Sequence, residues 1–152
     1  MKKFLSFALA ALMLAVTMLT LSACGSAYSG IEKNFLNAGF EVVDISDAYG
    51  EGDLSFMADM EEGSFYCTIH VLRKGNLLDN DLQYAVIAEY GADQDAREAL
   101  DEYMEGNLSS VLMDLDQSRI VRENCLLIPI NANINFMKAE ENIENMIELF
   151  NR

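Results

Sequence analysis

The residues of this chain able to carry chemistry are few and widely separated. Among 152 residues there is one histidine, His70, and three cysteines, Cys24, Cys67 and Cys125. A zinc site draws on several His or Cys ligands at close spacing, and one histidine with two cysteines in apolar stretches does not supply that set. Nucleophilic catalysis needs a Ser or Cys with a base in reach. The chain has no Gly-x-Ser-x-Gly, and His70 would have to serve as base for any nucleophile. Acids are abundant, at 25 Asp plus Glu. Calcium takes about six to eight oxygen ligands, often from loop acids at alternate positions. Asp79 and Asp81, flanking Asn80, are the leading candidates, with the loop of Asp47, Glu51 and Asp53 behind them. Neither stretch has the alternating acids, central glycine and distant glutamate of an EF-hand loop, so both read more simply as solvated turns. Glycoside hydrolysis uses two carboxylates about 5 to 9.5 Å apart. With 25 acids some pair meets that spacing by chance, and the chain has no tryptophan to line a sugar cleft. No catalytic set and no cofactor is expected.

Cys67 and Cys125 each lie in an apolar, strand-like stretch, Phe65-Tyr66-Cys67-Thr68-Ile69 and Cys125-Leu126-Leu127-Ile128. Two readings stand: a pair of buried thiols packing as small hydrophobes, or a disulfide permitted by an oxidising compartment. A bridge requires the two Cα atoms to come within about 7 Å.

These residues must be positioned by a fold with recognisable local signals. Ser29 and Glu32 have capping-box spacing ahead of an Ile31, Phe35, Ala38 stripe, which Gly39 should stop with Phe40 folding back. Strands are expected at 41–45, 54–60, 65–72 and 82–90, from β-branched or alternating apolar residues. The second helix begins in the acid-rich Asp93–Glu98 segment and buries Ala96, Ala99, Leu100, Tyr103 and Met104. A turn or short helix could cover 108–115. Ile120-Val121-Arg122 and Leu126-Leu127-Ile128 flank Glu123-Asn124 as a tight hairpin, and a final helix carries Phe136, Ala139, Ile143, Met146, Ile147 and Phe150 on one stripe. Strands in runs with few helices between them imply an α+β fold, an antiparallel sheet with about three helices packed on one face.

Ahead of this fold stands a different kind of sequence. Met1-Lys2-Lys3 is basic, Phe4 to Leu19 is almost wholly apolar, and the run closes on Leu21-Ser22-Ala23-Cys24. A basic start, an apolar segment and small residues before a cleavage point form a secretory signal. The last four residues resemble the lipobox of bacterial lipoproteins. That resemblance implies cleavage before Cys24, acyl lipid on its sulfur as the only bound group, and a place at the extracytoplasmic face of a cell membrane. The alternative is an uncleaved transmembrane anchor, since roughly 20 apolar residues span a bilayer. The expected organisation is a signal peptide over 1–23, a lipidated cysteine with a short tether over 24–28, and one domain over 29–152.

Loss of Lys2 and Lys3 leaves 8 basic residues against 25 acidic ones, a mature charge of −17. Nucleic acid is excluded as a partner, because its binding needs a Lys/Arg footprint. Anionic lipid would repel the domain. The expected partners are membrane lipid, through the anchor alone, and a basic protein or peptide steered by the acidic surface. The pattern over residues 82–150 loosely resembles small Gram-positive surface lipoproteins of unknown function. The expected role is a non-enzymatic, membrane-anchored binding or interaction module. The alternative is a structural accessory subunit of a membrane complex, with a calcium-binding module or a hydrolase further behind.

Overall fold

A computed structural model describes residues 26–44, 64–76, 78–106 and 114–152. Cys24 and the leader, the expected strand at 54–60, the loop of Asp47, Glu51 and Asp53, and residues 108–113 lie outside the described residues. Among those described, the chain order is α1 (Ala27–Asn37), β1 (Glu41–Val43), β2 (Cys67–Lys74), β3 (Gln83–Tyr90), α2 (Asp93–Glu105), β4 (Val121–Arg122), β5 (Cys125–Asn131) and α3 (Phe136–Asn151). A 3-10 turn at Gln117–Arg119 precedes β4. The five strands form one antiparallel sheet in the order β1-β2-β3-β5-β4. The α+β class with an antiparallel sheet is as the sequence implies.

Successive side chains on a strand point to opposite faces, so the register assigns each residue to a side. His70 lies opposite Ile87, which lies opposite Leu127, and Glu89 lies opposite Cys125, all on one face. Cys67, Tyr90, Val86 and Ile128 occupy the other. The ring of Tyr28 in α1 stacks on His70, and Asn34 of α1 donates to the Leu149 carbonyl of α3 at 3.1 Å, so α1 and α3 cover the first face together. Tyr103 of α2 meets Tyr90, hydroxyl to hydroxyl at 3.2 Å, on the second. The expectation of all helices on one face is corrected here: they divide two and one. The reason is the composition of β3, buried along almost its whole length, with Tyr84 to Ala88 at 2% exposure or less. A central strand apolar on both sides needs cover on both sides.

The C-terminal end of α1 follows local chemistry. Gly39 takes φ +87°, its N–H reaches the Leu36 carbonyl, and the Phe40 N–H reaches that of Phe35. This is the Schellman arrangement, and it lays Phe40 edge-on to Phe35 with ring centroids 5.0 Å apart. The start of α1 does not follow local chemistry. Ser26, not Ser29, is the cap position; Ser29 lies in the first turn and its hydroxyl donates back to the Ser26 carbonyl at 2.8 Å. The expected Ser29–Glu32 capping box does not form, because burying Tyr28 against the sheet carries the helix two residues further back than the expected domain start. The β4–β5 hairpin turns through Glu123 and Asn124 as expected, with Glu123 at φ 51°.

Candidate functional site

The sheet end nearest the N-terminus gathers the polar groups the strands hold apart in sequence. His70 Nε2 lies 3.0 Å from Glu89 Oε2, and each side chain is 22% exposed. Glu89 Oε1 accepts a hydrogen bond from the Ser26 hydroxyl. Tyr28 stacks over the His70 imidazole at a centroid distance of 3.5 Å and 11° between planes. Burial pushes the Tyr28 phenol up, and the charge and hydrogen bond of Glu32, one turn along α1, push it further. The ring therefore stays neutral and acts as a lid on the imidazole. Beneath Glu89 lies Cys125, fully buried, whose thiol is pushed up to about 12 by burial first and by Glu89 and Glu123 next.

The order of these groups decides what they can do. A nucleophilic relay places the base between the nucleophile and the orienting carboxylate. Here the carboxylate stands between serine and histidine, so Ser26 donates its hydrogen bond to Glu89, has no base beside it and gains no activation. Cys125 is held as a thiol and is no nucleophile. The cluster ties the start of α1 to β2 and β3. A charge-assisted hydrogen bond of this kind, partly open to solvent, contributes about 1 kcal/mol.

Asp79 and Asp81, the leading calcium candidates, turn to separate partners. Asp79 caps its own turn, accepting from the Asn76 side-chain amide at 2.7 Å and giving its N–H to Asn76 Oδ1 at 2.8 Å. Asp81 faces α3, where its Oδ1 accepts from Asn142 at 3.1 Å and Gln83 at 3.4 Å and lies 3.5 Å from Lys138 Nζ. Among the described residues no three His, Cys, Asp or Glu side chains converge as metal ligands would. Asp81 is instead a structural junction between the β2–β3 loop and α3. Burial alone would raise its carboxyl pKa, but the Asn142 hydrogen bond and the Lys138 charge outweigh this and hold it below the usual carboxylate range. A depressed carboxyl stabilises the fold above its unfolded pKa, and that contribution is lost as pH falls through the folded value. Asp81→Ala leaves the amides of Asn142 and Gln83 short of an acceptor and is expected to cost about 1–3 kcal/mol at neutral pH. Urea melts of wild type and variant should converge as the pH is lowered through that range; a constant gap would refute the assignment.

The disulfide reading for Cys67 and Cys125 is corrected. The two residues stand on opposite faces, on strands that both flank β3. Two strand spacings put their backbones about 9.6 Å apart, beyond the reach of a bridge. They are separate thiols, Cys67 half-buried and Cys125 buried. With Cys24 replaced by Ser, a thiol reagent added in denaturant without reductant should titrate two thiols per chain, and Cys125 should react in the native state only as fast as the protein opens. Zero thiols in denaturant would restore the bridge.

Glu89, Ser26 and Tyr28 were not among the residues the sequence singles out. A signal for Glu89 does exist, since it is the single charged residue in β3, Gln83–Tyr90. Ser26 and Tyr28 read as tether because nothing local marks them as folded. No protein-family model matches this chain, and no curated protein and no solved structure is detectably similar to it.

Proposed function

We propose that this chain is a lipid-anchored extracytoplasmic lipoprotein whose domain is a non-enzymatic interaction module for a basic protein partner. The observation that carries the reading is the N-terminal pattern, a basic start and an apolar run closing on Leu21-Ser22-Ala23-Cys24. The place of Ser26 supports it. With α1 starting at Ala27 and Ser26 bonded to Glu89, only Gly25 separates the fold from Cys24. Two residue steps reach about 7 Å, less than half the five-step tether that a fold starting at Ser29 would leave. The domain is thereby held against the bilayer by its His70–Glu89 end. A charge of −17 gives anionic lipid no purchase on the rest of it.

The same short tether favours a second reading, an accessory subunit packed on a membrane complex, because its partners are confined to one thin layer. The mass of the mature N-terminal peptide tests the anchor. A peptide beginning at Cys24 and carrying a diacylglycerol thioether is expected, and an unmodified Cys24 would end the proposal. Lengthening the chain between Gly25 and Ser26 separates the two roles. An accessory subunit loses its crosslink to the complex, whereas a module that captures a mobile partner keeps it.

A further inference from the structure

Where α1 ends, the sheet, α1 and α3 enclose a cavity of about 270 Å³. Its base is the cross-strand pair of Lys74 on β2 and Gln83 on β3, which stand directly opposite one another. One wall is a stripe of α3 at helical spacing, Asn142, Asn145, Met146 and Leu149, and the other is the turn out of α1, with Ala38 and Phe40. Tyrosine and cysteine aside, Gln83 and Asn142 are the two buried polar residues among those described, at 5% and 9% exposure, and both line this cavity. Each gives its amide N–H to Asp81 Oδ1, at 3.4 and 3.1 Å. A carboxylate oxygen only accepts, so these bonds fix which way each amide lies. Asp81 is not among the residues lining the cavity, so the amide nitrogens turn away from it and the two amide oxygens face it as acceptors. A buried amide oxygen calls for a donor.

Cations stand on the solvent side. The Lys74 ammonium spends one hydrogen on the Ala38 carbonyl at 2.9 Å and has two more to give. Arg152 also lines the cavity, and Glu148, 3.8 Å from the Arg152 guanidinium, is the one acid that does. Two cations against one acid make the lining net positive in a chain whose mature part carries −17. Phe40, Met146 and Leu149, each at 9% exposure or less, supply an apolar floor.

We propose that this cavity binds a free α-amino acid with an apolar side chain. The ligand's ammonium donates to Gln83 Oε1 and Asn142 Oδ1, its carboxylate accepts from Lys74 and Arg152, and its side chain lies on the apolar floor. A simple anion would meet two amide oxygens and Glu148, and a simple cation would meet Lys74 and Arg152. A molecule carrying both charges satisfies the two sets together. Volume limits its size, because about 270 Å³ falls below the roughly 300–1,000 Å³ of drug-sized sites and leaves room for one residue, not a peptide. Gln83 and Glu89 stand at opposite ends of β3, so the site is remote from the proposed anchor and stands without it.

Isothermal titration of the full-length protein in detergent tests this, with the apolar L-amino acids from valine to phenylalanine as probes. At least one should bind with a dissociation constant below about 1 mM. Analogues of the tightest binder that lack its ammonium or its carboxylate (4-methylpentanoate and 3-methylbutylamine if it is L-leucine) should bind at least about 10-fold more weakly, since each leaves one set of charged or buried groups unpaired. Lys74→Met keeps the stem over Phe40, removes the ammonium and should weaken binding by about the same factor, with Lys74→Arg restoring most of it. Asn145→Phe, at an exposed position of the α3 wall, should close the cavity and abolish binding while the melting temperature of the free protein holds. Lys33→Met, exposed on α1 outside the cavity, should leave affinity unchanged. No binding by any probe at about 10 mM would overturn the inference. So would single-charge analogues or O-phosphoethanolamine that bind as tightly as the amino acid, or affinity indifferent to both Lys74→Met and Asn145→Phe.

Discussion

Cys24→Ser is expected to move this protein from the membrane fraction to the soluble extracytoplasmic fraction with its fold unchanged. Without the cysteine sulfur there is no atom to carry the diacylglycerol, and each buried methylene of an acyl chain contributes about 0.8 kcal/mol to membrane attachment. Charge does not replace that attraction on anionic lipid, since 25 acids stand against 8 basic residues after Cys24. The fold should not notice. Cys24 precedes Ser26, the first residue whose side chain touches the sheet among those described. Fractionation, chain mass and a thermal melt on one sample check all three statements. A chain of mature mass left in the membrane would refute the lipid anchor or point to a membrane-embedded partner. A chain of precursor mass left there would show that Phe4 to Leu19 holds the protein as an uncleaved span.

Where local chemistry decides an element, the sequence already contains it. Gly39 stops α1 because the left-handed position after a helix suits a residue without a side chain, and Ala96, Ala99, Leu100 and Tyr103 mark the buried stripe of α2 at helical spacing. Glu123-Asn124 lies between two apolar runs, and a two-residue turn is the short way to pair them. What the sequence leaves open is decided between elements. His70 and Glu89 are 19 residues apart and meet through the register of β2 on β3, which no spacing rule contains. Ser29 has better capping neighbours than Ser26, yet the contact of Tyr28 with His70 wins. Phe136 has the phase of a core residue, in line with Ile143 and Ile147, yet it is 73% exposed. The same limit applies to function. The anchor proposed at Cys24 rests on contiguous residues, whereas the Ser26, His70 and Glu89 cluster is assembled from segments as much as 63 positions apart.

Two glycine-to-alanine changes should act in opposite directions, and the larger effect belongs to Gly75. It sits where β2 enters the loop to β3, at φ +78°, and an added Cβ would fall 1.9 Å from the Asp81 carbonyl oxygen and 2.8 Å from its carbon. Both atoms are backbone, so no rotamer relieves the clash. The chain has to open at the neck that the Asp81 N–H and the Asn76 carbonyl close at 3.2 Å. A left-handed alanine costs about 1–2 kcal/mol on its own, and overpacking against rigid atoms adds about 1–3 kcal/mol. Gly75→Ala is therefore expected to destabilise by about 3 kcal/mol, a fall in melting temperature on the order of 10 °C for a domain of this size. Displacing Asp81 also pulls its carboxylate from Asn142 and Lys138, which adds to the loss. Gly30 supplies the control. It lies inside α1, exposed, and its added Cβ would meet nothing within 4 Å. Gly30→Ala should stabilise by about 0.5–1 kcal/mol through helix propensity alone. If Gly75→Ala melts within a degree of wild type, the closed neck of the β2–β3 loop is wrong.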